Sequence, residues 1–220
     1  MLGQGIYSIP EAARITRLKP SRVREWFGGR RSKQDRGPVF RGDYPIVEGD
    51  RAISFHDLVE LFIAGQLRDK GLPLQRLRKV HAKLSEDWGV KHPFCRDEVR
   101  LSRDGKTVFT CGLDEQGKAE VIEVLTNQRA FADIILPFLL KIDYDEATKM
   151  ARRWSIAPMV VIDPAIRFGK PIVEAVGIST SVLARSFRAN GEDAGLVAGW
   201  FRIRPEHVRA AVEFEARLVA

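Results

Sequence analysis

The chain is 220 residues long and holds only two cysteines, Cys95 and Cys111, and four histidines, His56, His81, His92 and His207. Two thiols sixteen residues apart fit no zinc-ligand spacing, and the scattered histidines add none. No disulfide scaffold and no structural zinc site is expected, and two reduced thiols suit a cytosolic protein. Long apolar runs are also missing. The longest, Ile134 to Leu140, is seven residues and is interrupted by Pro137. That is far short of the ~18 residues of a membrane span. The opening Met1-Leu2-Gly3-Gln4-Gly5-Ile6 carries neither the charge nor the apolar stretch of an export signal, so a cytoplasmic location is expected.

Catalytic signatures are absent as well. There is no Gly-x-Ser-x-Gly elbow and no local Cys/His signature. Gly169-Lys170-Pro171 lacks the earlier glycine and the hydroxyl residue of a phosphate loop, and Pro171 removes a backbone N–H from any cradle. Asp143, Asp145 and Glu146 cluster in one segment, which reads as a solvated turn or helix start rather than a metal site. No catalytic residue, cofactor or metal ligand is expected, and the chain reads as a non-enzyme.

What the sequence does contain is positive charge in one place. The first 41 residues hold ten Lys/Arg against three acids, Glu11, Glu25 and Asp35, and residues 42–220 balance at 26 of each sign. The formal net charge of +7 is therefore local. Clustered cations displace condensed counterions from phosphates, the electrostatic footprint of a nucleic-acid binder.

The same stretch has helix punctuation. Residues 10–15 read as a first helix with Ser8 near its cap and Pro10 early in it, and a turn follows at Thr16-Arg17-Leu18. Residues 19–27 read as a second helix stopped by Gly28-Gly29. On it Val23, Trp26 and Phe27 face inward, and Ser21, Arg22 and Glu25 face outward. Two short helices and a tight turn make a unit whose second helix enters the major groove. The DNA-contacting candidates are Lys19, Ser21, Arg22, Arg24, Arg30, Arg31, Lys33, Arg36 and Arg41. The basic, turn-rich residues 30–37, with short extended segments at Val39-Phe40 and at 52–55, read as a wing. A third helix is expected over 56–70 with Gly71 as its stop. A fourth runs from Leu72-Pro73 to about Trp88, stopped by Gly89. Its Leu74, Leu77, His81, Leu84 and Trp88 form a seam just over two heptads long, suited to packing on the head or to forming a dimer.

Beyond Lys91 the texture changes. Residues 99–102 and 107–111 alternate around Asp104-Gly105, a hairpin signal, and 121–125 reads as a further strand. A small antiparallel β region over about 94–127 is expected, followed by an apolar segment over 130–142. The remainder reads as strands at 159–162 and 172–176 and helices at 180–189, 192–201 and 205–219. The fold class expected is α+β in three domains, 1–90, 91–150 and 151–220.

The order over residues 6–89, with Ala12-Ala13, the turn and then Arg22-Val23-Arg24-Glu25-Trp26, resembles the MerR-type winged helix-turn-helix. The resemblance implies that Arg24 touches backbone phosphate. Residues 158–219 resemble the antitoxin-like domain-of-unknown-function family 433. They carry Ile162-Asp163-Pro164, Phe168-Gly169-Lys170-Pro171-Ile172-Val173 and Arg204-Pro205-Glu206-His207-Val208-Arg209 at family spacing. A MerR-like head joined to this tail is similar to one branch of the VapB-type antitoxins. Such proteins repress their own operon and bind a PIN-like ribonuclease toxin. The resemblance implies operator DNA and a PIN-like toxin as partners, and a homodimer on an inverted repeat. Toxin-contacting cations beyond the head are then sought in Arg152 and Arg153, placed in a linker, and in Arg185 and Arg188 on the first tail helix. The other reading is a stand-alone MerR-like regulator whose middle domain binds a small effector.

Overall fold

The computed structural model describes residues 4–28, 37–69, 71–97 and 141–219. The expected middle strands at 99–125 and the apolar segment at 130–140 lie outside the described residues. The chain is mixed helix and sheet, an α+β protein, and it forms two compact units that divide at Tyr7/Ser8 and at Ala151/Arg152.

The first unit, from Ser8 to Ala151, opens with α1 (Ile9–Thr16) and α2 (Pro20–Gly28). Ser8 and Glu11 form a reciprocal cap, the serine hydroxyl accepting from the Glu11 amide and the Glu11 carboxylate accepting from the Ser8 amide. Arg17, in the left-handed conformation at φ 58°, ends α1 and turns the chain. The pair buries Ala12, Ala13 and Ile15 from one helix and Val23, Trp26 and Phe27 from the other. The chain then returns beneath α2, and the amides of Val39 and Phe40 both donate to the Trp26 carbonyl (2.7 and 3.1 Å).

Those two bonds overturn the strand expected at Val39-Phe40. Both side chains are buried and their amides serve α2, so neither is free for a ladder. The hairpin forms instead between β1 (Ile46–Val47) and β2 (Asp50–Arg51), antiparallel across Glu48-Gly49. Both turn residues have positive φ, 51° and 85°, as a two-residue primed turn requires.

Helix α3 (Phe55–Asp69) is the centre of this unit, burying Phe55, Leu58, Val59, Leu61, Ile63, Ala64 and Leu67. It also buries two acids, Asp57 and Glu60. Helix α4 (Leu74–Trp88) ends on Gly89 in the left-handed conformation. Its seam residues Leu77, His81 and Leu84 are buried, and Leu74 and Trp88 half-buried, so the expected seam packs inward. A 3₁₀ turn, Pro93–Cys95, follows, with Cys95 a free, buried thiol. β3 (Ile142–Tyr144) precedes a turn in which the Asp145 carboxylate accepts from the amides of Ala147 and Thr148.

The second unit is built on β4 (Ala151–Ala157), β5 (Val160–Ile162), β6 (Ile172–Val173) and β7 (Ile178–Ser179), an antiparallel ladder in that order. Four strands therefore stand where two are expected. Residues 152–154 are not a linker, because Trp154 is buried and pairs in register with Ile162. Helices α5 (Thr180–Ala189), α6 (Ala194–Phe201) and α7 (Pro205–Val219) pack Leu183, Ala194, Val197, Ala198, Val208 and Ala211 against Val173. Asp193 caps α6 by accepting from the amides of Gly195 and Leu196.

The N-terminal residues up to Tyr7 belong to this second unit. The Ile6 amide donates to the Phe168 carbonyl (3.0 Å), and the buried Tyr7 hydroxyl donates to the Gly169 carbonyl (2.7 Å). Gly169 has φ 80°, and a Cβ built there would lie 2.2 Å from the Tyr7 hydroxyl. Gly191 has a similar φ of 66° but open space around it. Gly169→Ala is therefore expected to cost about 2–4 kcal/mol, strain plus clash, and Gly191→Ala about 1 kcal/mol, strain alone. Thermal unfolding of the two variants checks this, and equal losses would contradict it.

Candidate nucleic-acid interface

The α1–α2 unit presents a polar outer face. Lys19, Ser21 and Arg24 are exposed, Arg22 is half-buried, and Arg41 is exposed where the chain leaves Phe40. Burial of Val23, Trp26 and Phe27 fixes this orientation, since the intervening positions of a helix must then face away. Arg22 is not wholly free, because its Nη1 lies 3.9 Å from the Asp69 carboxylate at the end of α3. Arg30, Arg31, Lys33 and Arg36 lie outside the described residues.

Of the four cations expected to meet a protein partner, Arg152 on β4 is exposed and Arg153 is ion-paired with Glu174. On α5 Arg188 is exposed, and Arg185 is exposed with its Nε donating to the Ser181 carbonyl (3.2 Å). Arg153 is therefore the least available of the set.

The first unit also holds a cluster of titratable side chains that no spacing in the sequence marks. Asp43, His56, Asp57, Glu60, His81, Lys91 and His92 converge beside α3. The His92 ring lies between two carboxylates, with Nε2 2.9 Å from Asp43 Oδ1 and Nδ1 3.2 Å from Glu60 Oε2. Glu60 Oε1 is 2.9 Å from His81 Nε2, and the Lys91 ammonium donates to Asp43 Oδ1 at 2.8 Å. The Ser54 hydroxyl donates to Asp43 Oδ2, while Asp57 Oδ2 accepts from the amides of Ser54 and Asp43. Asp43, Ser54, Asp57 and His92 thus tie the chain after Arg41 to the start of α3 and to the segment before the 3₁₀ turn.

Burial raises the cost of every charge here, and the pairings offset it. Burial alone would lower the His92 pKa, but its bonds to Asp43 and Glu60 push it up from 6.5 to about 10. Burial would raise Asp43 and Glu60. Asp43 is instead held well below the usual carboxylate range, chiefly by His92 and Lys91, and Glu60 is lowered chiefly by His81 and His92. Asp57 is raised by burial, and so is the Cys95 thiol. His56 is lowered by burial. Asp43, His56 and His92 each offer a donor atom within 4.8 Å of the other two, a spacing that could hold a metal ion where no ligand spacing is visible in the sequence. Three of the four histidines, His56, His81 and His92, are scattered in sequence and gathered in space. The one signal available beforehand was Asp57 and Glu60, two acids three residues apart inside an otherwise apolar helix.

No protein family and no curated protein matches this chain. A solved structure, that of Rv2018 from Mycobacterium tuberculosis, shares the fold with a TM-score of 0.70 at 20% identity. The match covers 94% of this chain and 96% of that one.

Removing the His92 ring would take from the buried Glu60 and the half-buried Asp43 a shared partner, leaving His81 on the one and Lys91 on the other. His92→Ala is expected to cost about 3–5 kcal/mol. The folded state holds the His92 proton that the unfolded chain releases above 6.5. This contribution is therefore complete below about pH 6.5 and is lost as pH rises toward 10. In chelator-containing buffer, wild-type stability should fall from about pH 7 to about pH 9, with a flatter profile in His92→Ala. Denaturant titrations across that range check it, and equal slopes would contradict it.

Proposed function

We propose that the chain is the antitoxin of a toxin–antitoxin pair, an operator-binding autorepressor that also neutralises a PIN-like ribonuclease. The observation that carries the DNA half is the coincidence of charge and geometry. The whole net charge of +7 arises in residues 1–41, and the described part of that stretch is a two-helix unit with a buried inner face and Lys19, Ser21 and Arg24 on the outside. In this reading the first unit is a MerR-like winged helix-turn-helix, α2 is the groove-reading helix and the β1–β2 hairpin belongs to the wing. One such head is small for tight specific binding, so a homodimer on two half-sites is part of the proposal. The inward-facing seam of α4 leaves the helices of the second unit as the more available dimer surface.

The toxin half rests on the family-433-like residues and on the cations of the second unit. PIN-like ribonucleases hold metal with clustered carboxylates, which a guanidinium engages by charge-assisted hydrogen bonds. Arg152 and Arg188 suit this role, and Arg185 can join them. Arg153, already paired with Glu174, is expected to contribute least. No helix among the described residues is long and apolar enough to cross a membrane, in keeping with a cytosolic partnership.

Affinity for DNA upstream of the protein's own reading frame and for random DNA, measured across salt, tests the first half. Arg24→Ala should weaken both alike and lower the salt slope by about one. Arg22→Ala should cost about 1–3 kcal/mol on the specific site alone. Equal affinity of wild type and an Arg24/Arg30/Arg31 triple alanine variant would refute it. For the second half, charge reversal of Arg152 and Arg188 in the full chain should reduce co-purification of the adjacently encoded toxin while leaving DNA affinity unchanged. Undiminished co-purification would reject these contacts.

A further inference from the structure

We propose that Asp43, His56 and His92 form a binding site for a zinc-class divalent cation. The site brings together a loop residue ahead of β1, a residue in the first turn of α3 and a residue just before the 3₁₀ turn, all within the first unit. Their donor atoms lie within 4.8 Å of one another. Zinc bound at about 2.0–2.2 Å in tetrahedral geometry sets its ligands about 3.3–3.6 Å apart. The His92–Asp43 pair, now at 2.9 Å, must open by a few tenths of an ångström, and the widest separation must close by little more than 1 Å. Side-chain rotation alone covers such changes.

The hydrogen bonds set the nitrogens for the task. His56 Nε2 lies 2.9 Å from the Ala151 carbonyl, which can only accept. The proton is therefore on Nε2, and Nδ1 keeps its lone pair. His92 Nδ1 faces Glu60, the carboxylate–imidazole arrangement that orients metal-binding histidines and raises their basicity. A cation takes the place of the proton shared by His92 Nε2 and Asp43 Oδ1, and that proton leaves to solvent. Lys91, the present cation on Asp43 Oδ1, has a partly exposed side chain and can swing into water.

A second observation points the same way. Asp57 is fully buried, and its Oδ1 has no hydrogen-bond partner while lying 3.9 Å from His92 Nδ1. Three carboxylates, Asp43, Asp57 and Glu60, thus surround the two rings, and a divalent cation supplies the charge that the imidazolium proton and the displaced Lys91 now carry. Two nitrogens and one oxygen favour zinc, cobalt or nickel over magnesium and calcium, which take oxygen ligands. Three protein ligands leave a coordination position open to water or to a further group.

The test is titration of the chelator-stripped full-length chain with zinc chloride by calorimetry, with cobalt(II) as a visible-absorption probe. The expected result is one equivalent bound per chain. The cobalt complex should show the intense ligand-field bands of a four- or five-coordinate nitrogen/oxygen site. His56→Ala and Asp43→Asn should each weaken zinc binding by about 100-fold or more, and His207→Ala, in the other unit, should leave it unchanged. Should either variant fail to fold, the wild-type titration and cobalt spectrum still decide. Absence of saturable wild-type binding at about 100 μM zinc would overturn the site. So would a weak octahedral cobalt spectrum, or zinc affinity retained in both folded variants. The cluster would then be an ion-pair network of protein groups alone.

Discussion

A buried charge arrangement ties the first unit together, with the His92 ring held between the carboxylates of Asp43 and Glu60. Glu60 has a side chain 1% exposed and His92 one 6% exposed, and each would be severely penalised alone. Together with Asp43, Lys91 and His81 they satisfy one another, and they do so by joining four stretches of chain. Non-directional burial selects compactness. Directional bonds from a ring held between two carboxylates select one register. Asp43 lies two residues beyond Arg41, and the Phe40 amide is already bonded to α2, so the network and the helix-turn-helix share one short connecting strand of backbone.

That arrangement also explains what could and could not be seen in the residues. Helices α1, α4 and α6 announce themselves through local chemistry. The marks are a serine–glutamate cap, a left-handed glycine stop, and an aspartate that caps the next turn. The inner face of α2 follows from three apolar residues at helical spacing. The β1–β2 hairpin is hard to place from sequence because Ile46 and Val47 are exposed and their strand has no apolar alternation. Only the Glu48-Gly49 turn marked it. β4 reads as a linker in the sequence because Arg152 and Arg153 mask the buried Ala151 and Trp154 on either side of them. The histidine–carboxylate cluster was invisible for a different reason. Its members come from segments separated by up to 49 residues, and spacing rules find ligand sets only when the ligands are close in sequence.

The candidate DNA face was the more legible part, because it depends on a charge surplus and a helix period that are both local. The candidate protein-binding cations were less so. An arginine's availability depends on what stands beside it, and the glutamate that holds Arg153 is 21 residues away. The fold shared with Rv2018 spans nearly both chains, so these two units occur together elsewhere at low sequence identity. The functional reading rests on the surface chemistry of the units, since a shared fold does not carry a function with it.

In the proposed function α2 reads DNA from a paired head. Hydroxyl-radical footprinting of the full-length protein on DNA upstream of its own reading frame tests it most directly. Two protected half-sites are expected, arranged as an inverted repeat with their centres separated by about 10 bp or a multiple of it. A single protected patch, or protection spread evenly along the fragment without half-sites, would contradict it.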